Sequence, residues 1–380
     1  MKTNLKKLLY SGVTLMSLGV LTACSTASSS TTTSSSVATS QTSVATSSSS
    51  TSSSSSSSSI DWSALPTTEV TLSNDGLKIT EGGTYILTGS TTAGVTVETD
   101  ANVRIILAGA DISSSDNAAI NVIKADNIEL EIKDGTSNTV KDTSNHSDTN
   151  IEGAIHVEAD LTITGNGDLT VEGNFQDGIV STDDLVINAS NIKVTAVDDG
   201  IRGKDSMTIN GGTIDVTAGG DGIKSTNDTD TTKGYTTITG GDITVKAGDD
   251  AIKAETALTI DGGTITVSES LEALEGTNIT INGGTLDVYG SDDAINAAST
   301  TSTDIFIKVT GGDLKVAVGS GDTDAFDANG DIYISGGTID VTAPTSAFDF
   351  DGTAELTGGT VTVNGEQISQ IVATGPGARW

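Results

Sequence analysis

Met207-Thr208-Ile209-Asn210-Gly211-Gly212-Thr213-Ile214-Asp215-Val216 puts apolar residues at every second position on both sides of a glycine pair. Alternation with a period of two is the pattern of a strand with one buried face, and the glycines mark a bend that a side chain would obstruct. Seven residues beyond Val216 comes Ile223, inside Asp221-Gly222-Ile223. The same seven-residue step separates Val245 from Ile252, Val267 from Leu274 and Val288 from Ile295. So constant a step predicts units stacked in register.

Both motifs recur. Glycine pairs stand at 211–212, 240–241, 262–263, 283–284, 311–312, 336–337 and 358–359. The Asp-[Gly/Ala]-Ile motif begins at Asp177, Asp199, Asp221, Asp250 and Asp293, with variants at Glu272-Ala273-Leu274 and Asp324-Ala325-Phe326. A period of 21 to 31 residues from residue 150 onward is the mark of a solenoid in which each repeat is three short strands. Extra residues enter only at corners, in Lys224–Thr237, Asn296–Lys308 and Ala317–Ala325. The short apolar period, the Val, Ile and Thr content and the 44 glycines exclude a helical solenoid. The expected fold is all-β, a right-handed parallel β-helix of roughly ten coils, rising ~4.8 Å per coil, with the hand taken from parallel connections in general. Residues 151–364 form its regular part, residues 60–150 its N-terminal cap and irregular coils, and residues 365–380, with Pro376, its C-terminal cap.

The chain opens with Lys2, Lys6 and Lys7 ahead of an apolar run from Leu8 to Leu21, too short to span a bilayer as a mature helix. Residues 1–23 read as an export signal. Leu21-Thr22-Ala23-Cys24 resembles the bacterial lipoprotein cleavage box, and lipidation accounts for Cys24, the single cysteine of the sequence. Residues 24–59 are almost wholly Ser and Thr and cannot bury enough apolar surface to order, so they read as a tether. These features place the folded part on the extracellular face of the cytoplasmic membrane of a Gram-positive envelope, held by a lipid anchor and expected to be monomeric.

A formal charge of −33 argues against nucleic acid as a partner. Two histidines, His146 and His156, with Cys24 consumed, are too few for a zinc site or a Ser-His-Asp triad, and both are expected at the surface or in turns. Stacking in register sets Asp177, Asp199, Asp221, Asp250, Glu272, Asp293 and Asp324 above one another as a ladder, doubled by Asp198, Asp249 and Asp292. Carboxylates ~5 Å apart repel by ~1 kcal/mol in water and ~3 kcal/mol at an effective dielectric of 20. Calcium suits such a row, since it takes six to eight oxygens. Three clusters are candidates: Asp198/Asp199/Asp221, Asp249/Asp250/Glu272, and the acid-dense corner with Asp322, Asp324, Asp327 and Asp331. The competing reading has these acids capping turns and accepting backbone N–H groups.

Arg202, Lys224 and Lys253 follow the Ile of three consecutive repeats and form a basic stripe on the outward face. The stripe fits a polymer bearing carboxylates, or salt bridges with the acidic ladder, and the two are compatible. Aromatics are 3% of the chain, and Tyr235, Tyr289 and Tyr333 are the candidates for sugar stacking.

The chain resembles the carbohydrate-binding-domain family of bacterial exported β-helix proteins, itself similar in fold to family 9 polysaccharide lyases. The resemblance rests on Gly83-Thr84-Tyr85-Ile86-Leu87-Thr88-Gly89, Asp134–Thr139, Asp198–Asp205, Asp221–Ser225 and Asp324–Gly337, in the family's order from about residue 66 to 365. It implies a right-handed β-helix with bound calcium that binds cell-wall polysaccharide, acidic pectin-like chains and cellulose among them. The lyases pair calcium-bound Asp with a Lys base, a pairing that Lys224 or Lys253 beside the ladder imitates, although spacing assigns no base. The expectation is a calcium-dependent binder of acidic polysaccharide, with a lyase acting on uronates, or an adhesin or spacer with a protein partner, as alternatives.

Overall fold

The computed structural model describes residues 60–321 and 323–374, all within one compact unit, Ser59–Trp380. The signal segment 1–23, Cys24, the tether, Asp322 and Pro376 lie outside the described residues. The described part is all-β, a single sheet of 34 strands, and its one helical element is the short 3-10 turn Trp62–Ala64. No helix among the described residues is long and apolar enough to cross a membrane.

Strands pair in parallel with the equivalent strand one repeat further on. Asp160–Gly165, Asp168–Gly173 and Asp177–Ser181 pair with Asp184–Ile187, Asn191–Ala196 and Ile201–Gly203 respectively. The register follows the motifs, so Ile192, Ile214, Ile243, Ile265 and Leu286 are successive partners. Ile179, Ile201, Ile223, Ile252, Leu274 and Ile295 make a second column, and Phe326 and Phe348 continue it. These side chains are at most 2% exposed. Burying each contributes roughly 1.5–3 kcal/mol, which is what holds the register. The two phenylalanine rings stack with centroids 5.2 Å apart.

The irregular N-terminal segment joins the same stack, because Thr67–Leu72, Gly83–Thr91, Val103–Ser113 and Asn127–Ile132 also pair in parallel. At the other end Glu366–Ile368 turns back antiparallel on Thr360–Val363, and the Thr374 hydroxyl accepts the Ala347 N–H at 3.0 Å. The long corners lie between Ile223–Ser225 and Tyr235–Ile238, between Ile295–Ala297 and Phe306–Val309, and between Asp313–Val318 and Asp324–Ala328.

The histidines depart from the surface expectation. His146 and His156 are only 8% and 3% exposed. His146 stacks on Phe175 at 4.3 Å with its Nε2 3.0 Å from Asp142 Oδ2, so it serves as a packed turn residue. His156 occupies the column position that Val180 takes in the next repeat, and burial pushes its pKa down to about 4.

The second glycine of each pair takes a left-handed backbone. At Gly284, φ is +95° and an added Cβ would lie 2.9 Å from the Gly263 carbonyl of the preceding repeat. Gly284→Val is therefore expected to destabilise the chain by roughly 1–3 kcal/mol. An unchanged urea midpoint would contradict the bend.

Candidate functional site

Each Asp-[Gly/Ala]-Ile motif enters a strand from a tight corner, and its aspartate is drawn into the next repeat's backbone. Asp177 Oδ1 accepts the Asp199 N–H at 3.1 Å, Asp199 Oδ1 the Asp221 N–H at 2.9 Å, and Asp221 Oδ1 the Asp250 N–H at 2.9 Å. Asp293 Oδ1 accepts the Asp324 N–H at 2.7 Å further along. One oxygen of each of these acids is thus structural.

The other oxygen faces a second column. Arg202 pairs with Lys224 and Lys224 with Lys253 in strand register, so the three bases do stack. Arg202 reaches Asp177 Oδ2 at 2.9 Å and also binds Glu152. Lys224 bridges Asp199 and Asp221 at 2.5 and 3.0 Å, and Lys253 bridges Asp250 and Glu275 at 2.7 and 2.5 Å. Burial acts to lower both lysines, but the carboxylates more than offset it and hold them above the ordinary lysine range. Both are protonated at neutral pH.

After Lys253 the second column changes sign. Its next members are Glu275, Asn296, Asp327 and Asp349. The backbone ladder also breaks here: Asp250 Oδ1 is buried and takes no N–H, and the Glu272 and Glu275 carboxyls press against the Asp250 side chain within hydrogen-bonding reach. Burial, then contact with Asp250, pushes Glu272 and Glu275 well above the carboxylate range, while Asp250 is held below it against its own burial. Asp327 is raised to about 7, first by burial and then by Asp293, Asp324 and Asp349. Carboxyls in such contact share protons or a cation.

Asp221, Asp249 and Asp250 bring ligand oxygens within 4.8 Å of one another. Asp198 lies beside Asp199 and Asp221, and these neighbours with burial raise its pKa. Asp324 and Asp327 share one strand on the ladder face. Asp331 is a correction to the sequence grouping: it caps the next corner, accepting the Thr353 N–H at 2.6 Å and the Tyr333 hydroxyl at 2.7 Å, and its pKa is lowered.

Beside Lys253 and Glu275 the corners that follow Ser225 and Ala297 wall a hollow of about 760 Å³. Thr256, Thr277 and Asn278 line it, and Tyr235, 38% exposed, stands at one side. Tyr289 is outside this hollow, on the strand Thr285–Gly290. The polar corner residues are what sequence reading missed, because no motif marks them.

The carbohydrate-binding domain-containing protein family matches residues 73–325, more than half of the chain. The chain belongs to that family. A carbohydrate-binding domain-containing protein of Acetivibrio thermocellus is 32% identical over 135 residues, which is 33% of this chain and 47% of the relative. The match therefore spans just under half of that relative's length. A solved structure of the polysaccharide lyase-like protein from C. thermocellum, a gadolinium derivative, is 32% identical with a TM-score of 0.54, covering 58% of this chain and 95% of that one.

A carboxyl whose acid form is favoured by folding stabilises the protein below its unfolded pKa and loses that contribution as pH rises through its folded value. For Asp327 the window runs from the unfolded value near 3.8 up to about 7. With chelator present, Tm should fall across this window, and Asp327→Asn should flatten part of the fall. A Tm profile identical in the variant would contradict the crowding.

Proposed function

We propose that this chain is a calcium-dependent binder of acidic, pectin-like or other cell-wall polysaccharide, displayed at the surface of a Gram-positive cell by a lipid on Cys24 and the Ser/Thr tether. The three-strand parallel stack is proposed to coil as a right-handed β-helix, which would keep one face of every repeat turned to the polymer. The observation that carries the reading is the break in the ladder at Asp250, where a buried carboxylate oxygen that no N–H reaches meets two more carboxyls, with which it can share only a proton or a cation.

That donor set fits calcium: several carboxylate oxygens, partly dehydrated, on short corners. Asp221, Asp249, Asp250 and Glu272 would hold the ion, which when bound supplies the positive charge that a sugar carboxylate requires on so acidic a protein. Lys253, positioned between Asp250 and Glu275, faces the hollow beside Tyr235 and offers a second cationic contact. The remaining acids of the ladder brace the backbone and orient Arg202 and Lys224.

Uronate elimination is the alternative, supported by the fold of the lyase-like relative. It needs a lysine that is unprotonated near neutral pH, and the ion pairs of Lys224 and Lys253 oppose this. Polygalacturonate incubated with the protein is therefore expected to show no rise in ultraviolet absorbance from unsaturated uronides.

On an array of immobilised glycans, acidic polymers should be retained in calcium and released by EDTA. Asp250→Asn should weaken retention tenfold or more. Retention indifferent to chelator, or no retained polymer at all, would refute the calcium-bridged reading.

A further inference from the structure

Five asparagines stand directly before a glycine: Asn166, Asn210, Asn282, Asn329 and Asn364. In that dipeptide the glycine nitrogen can reach the asparagine side-chain carbon, because no Cβ crowds the approach and the glycine backbone turns freely. In a folded chain the reaction depends on whether the side-chain amide and the glycine N–H are already engaged.

All but one of the amides are engaged. Asn166 donates to Asp134 Oδ1 at 3.2 Å, and the Ile132 carbonyl takes the Gly167 N–H at 3.1 Å. Asn210 donates to Asn188 Oδ1 at 2.8 Å and accepts the Thr239 hydroxyl at 2.9 Å. Asn282 repeats this arrangement one corner further on, with Asp261 at 2.8 Å and Thr310 at 2.7 Å. Asn364 clasps both backbone groups of Ala343, accepting its N–H at 3.0 Å and donating to its carbonyl at 2.8 Å.

Asn329 differs. It is exposed at the corner between Asp324–Ala328 and Asp331–Ile334, and among the described residues its amide makes no hydrogen bond. The Gly330 N–H donates to no backbone carbonyl among those residues either. The groups around it are held: the Ala297 carbonyl accepts the Asn329 N–H at 2.9 Å, the Ile305 carbonyl the Asp331 N–H at 2.9 Å, and the Gly330 carbonyl the Gly352 N–H at 2.8 Å. The nitrogen and the amide can therefore meet without giving up a native hydrogen bond.

We propose that Asn329-Gly330 is a site of spontaneous deamidation in the folded protein. The Gly330 nitrogen gives up its proton and bonds to Asn329 Cγ, the Cγ–Nδ2 bond breaks, and the amide nitrogen takes up a proton and leaves as ammonia. Water then opens the cyclic imide at either carbonyl, which yields aspartate or isoaspartate and a new negative charge. Water is the only co-reactant. Asn329 lines the hollow beside Lys253 and Glu275, so the product adds a carboxylate to its wall. On the function proposed above, on which this consequence alone rests, the added charge repels an acidic polymer and weakens its retention as the protein ages.

The test incubates the full chain, folded or unfolded in guanidinium, and maps its peptides by mass spectrometry. In the folded chain Asn329 should convert at least tenfold faster than any other Asn-Gly asparagine, with ammonia released in step and a rate that rises with pH. Unfolding should bring the rates together. Asp261→Ala combined with Thr310→Val, which unclasps Asn282, should make Asn282 labile as well. Equal rates in the folded chain would overturn the site, as would an unfolded chain that keeps the same ranking or an Asn282 that stays inert once unclasped. The effect of charge is read separately: Asn329→Asp should lower retention of polygalacturonate in calcium several-fold, and unchanged retention would overturn that consequence. A wild-type chain that retains no acidic polymer would count against the proposed function and leave the deamidation site standing, because its readout is a mass.

Discussion

In-register parallel pairing is the constraint from which the other features descend. When each strand must lie on its counterpart one repeat away, a residue type repeated in sequence becomes a column in space. Isoleucine columns supply the core, and their burial fixes the register that aligns everything outside it. The aspartates are then forced together, and the structure answers their repulsion in two ways. One oxygen of Asp177, Asp199 and Asp221 is absorbed by a backbone N–H, and the other oxygen is neutralised by a stacked base.

The two answers fail close together: Asp250 Oδ1 takes no backbone N–H, although Asp293 accepts one further along, and Lys253 is the last base of its column. From Glu272 onward the neighbouring column holds Glu275, Asn296, Asp327 and Asp349 in place of bases. Burial first, and then the neighbouring acids left without bases, raises the pKa values of Glu272, Glu275 and Asp327. The change of sign also falls where the long corners wall the polar hollow, so the electrostatic strain and the space for a ligand are adjacent. The structural ladder and the candidate site are thus the same columns at different heights.

Much of this was legible in the sequence, because strand period, glycine pairs and a constant seven-residue step are geometric statements. They located the columns of Asp221, Asp250 and Glu272 and the stacking of Arg202, Lys224 and Lys253. What stayed hidden depends on contacts across repeats. Spacing cannot reveal that Asp199 spends one oxygen on a backbone N–H, nor that Asp331, close in sequence to Asp327, turns away to cap another corner. The histidines misled because their scarcity was informative about catalysis but silent about burial.

Carboxyls crowded at Asp250 are proposed to hold protons that a divalent ion replaces. Calcium titrated into the metal-free protein at pH 7, in two buffers of different ionisation enthalpy, measures binding and proton release together. The account predicts heat of binding that differs between the buffers, reporting protons released, and its loss in Asp250→Asn. No heat in either buffer, or binding that releases no proton and survives that substitution, would contradict it.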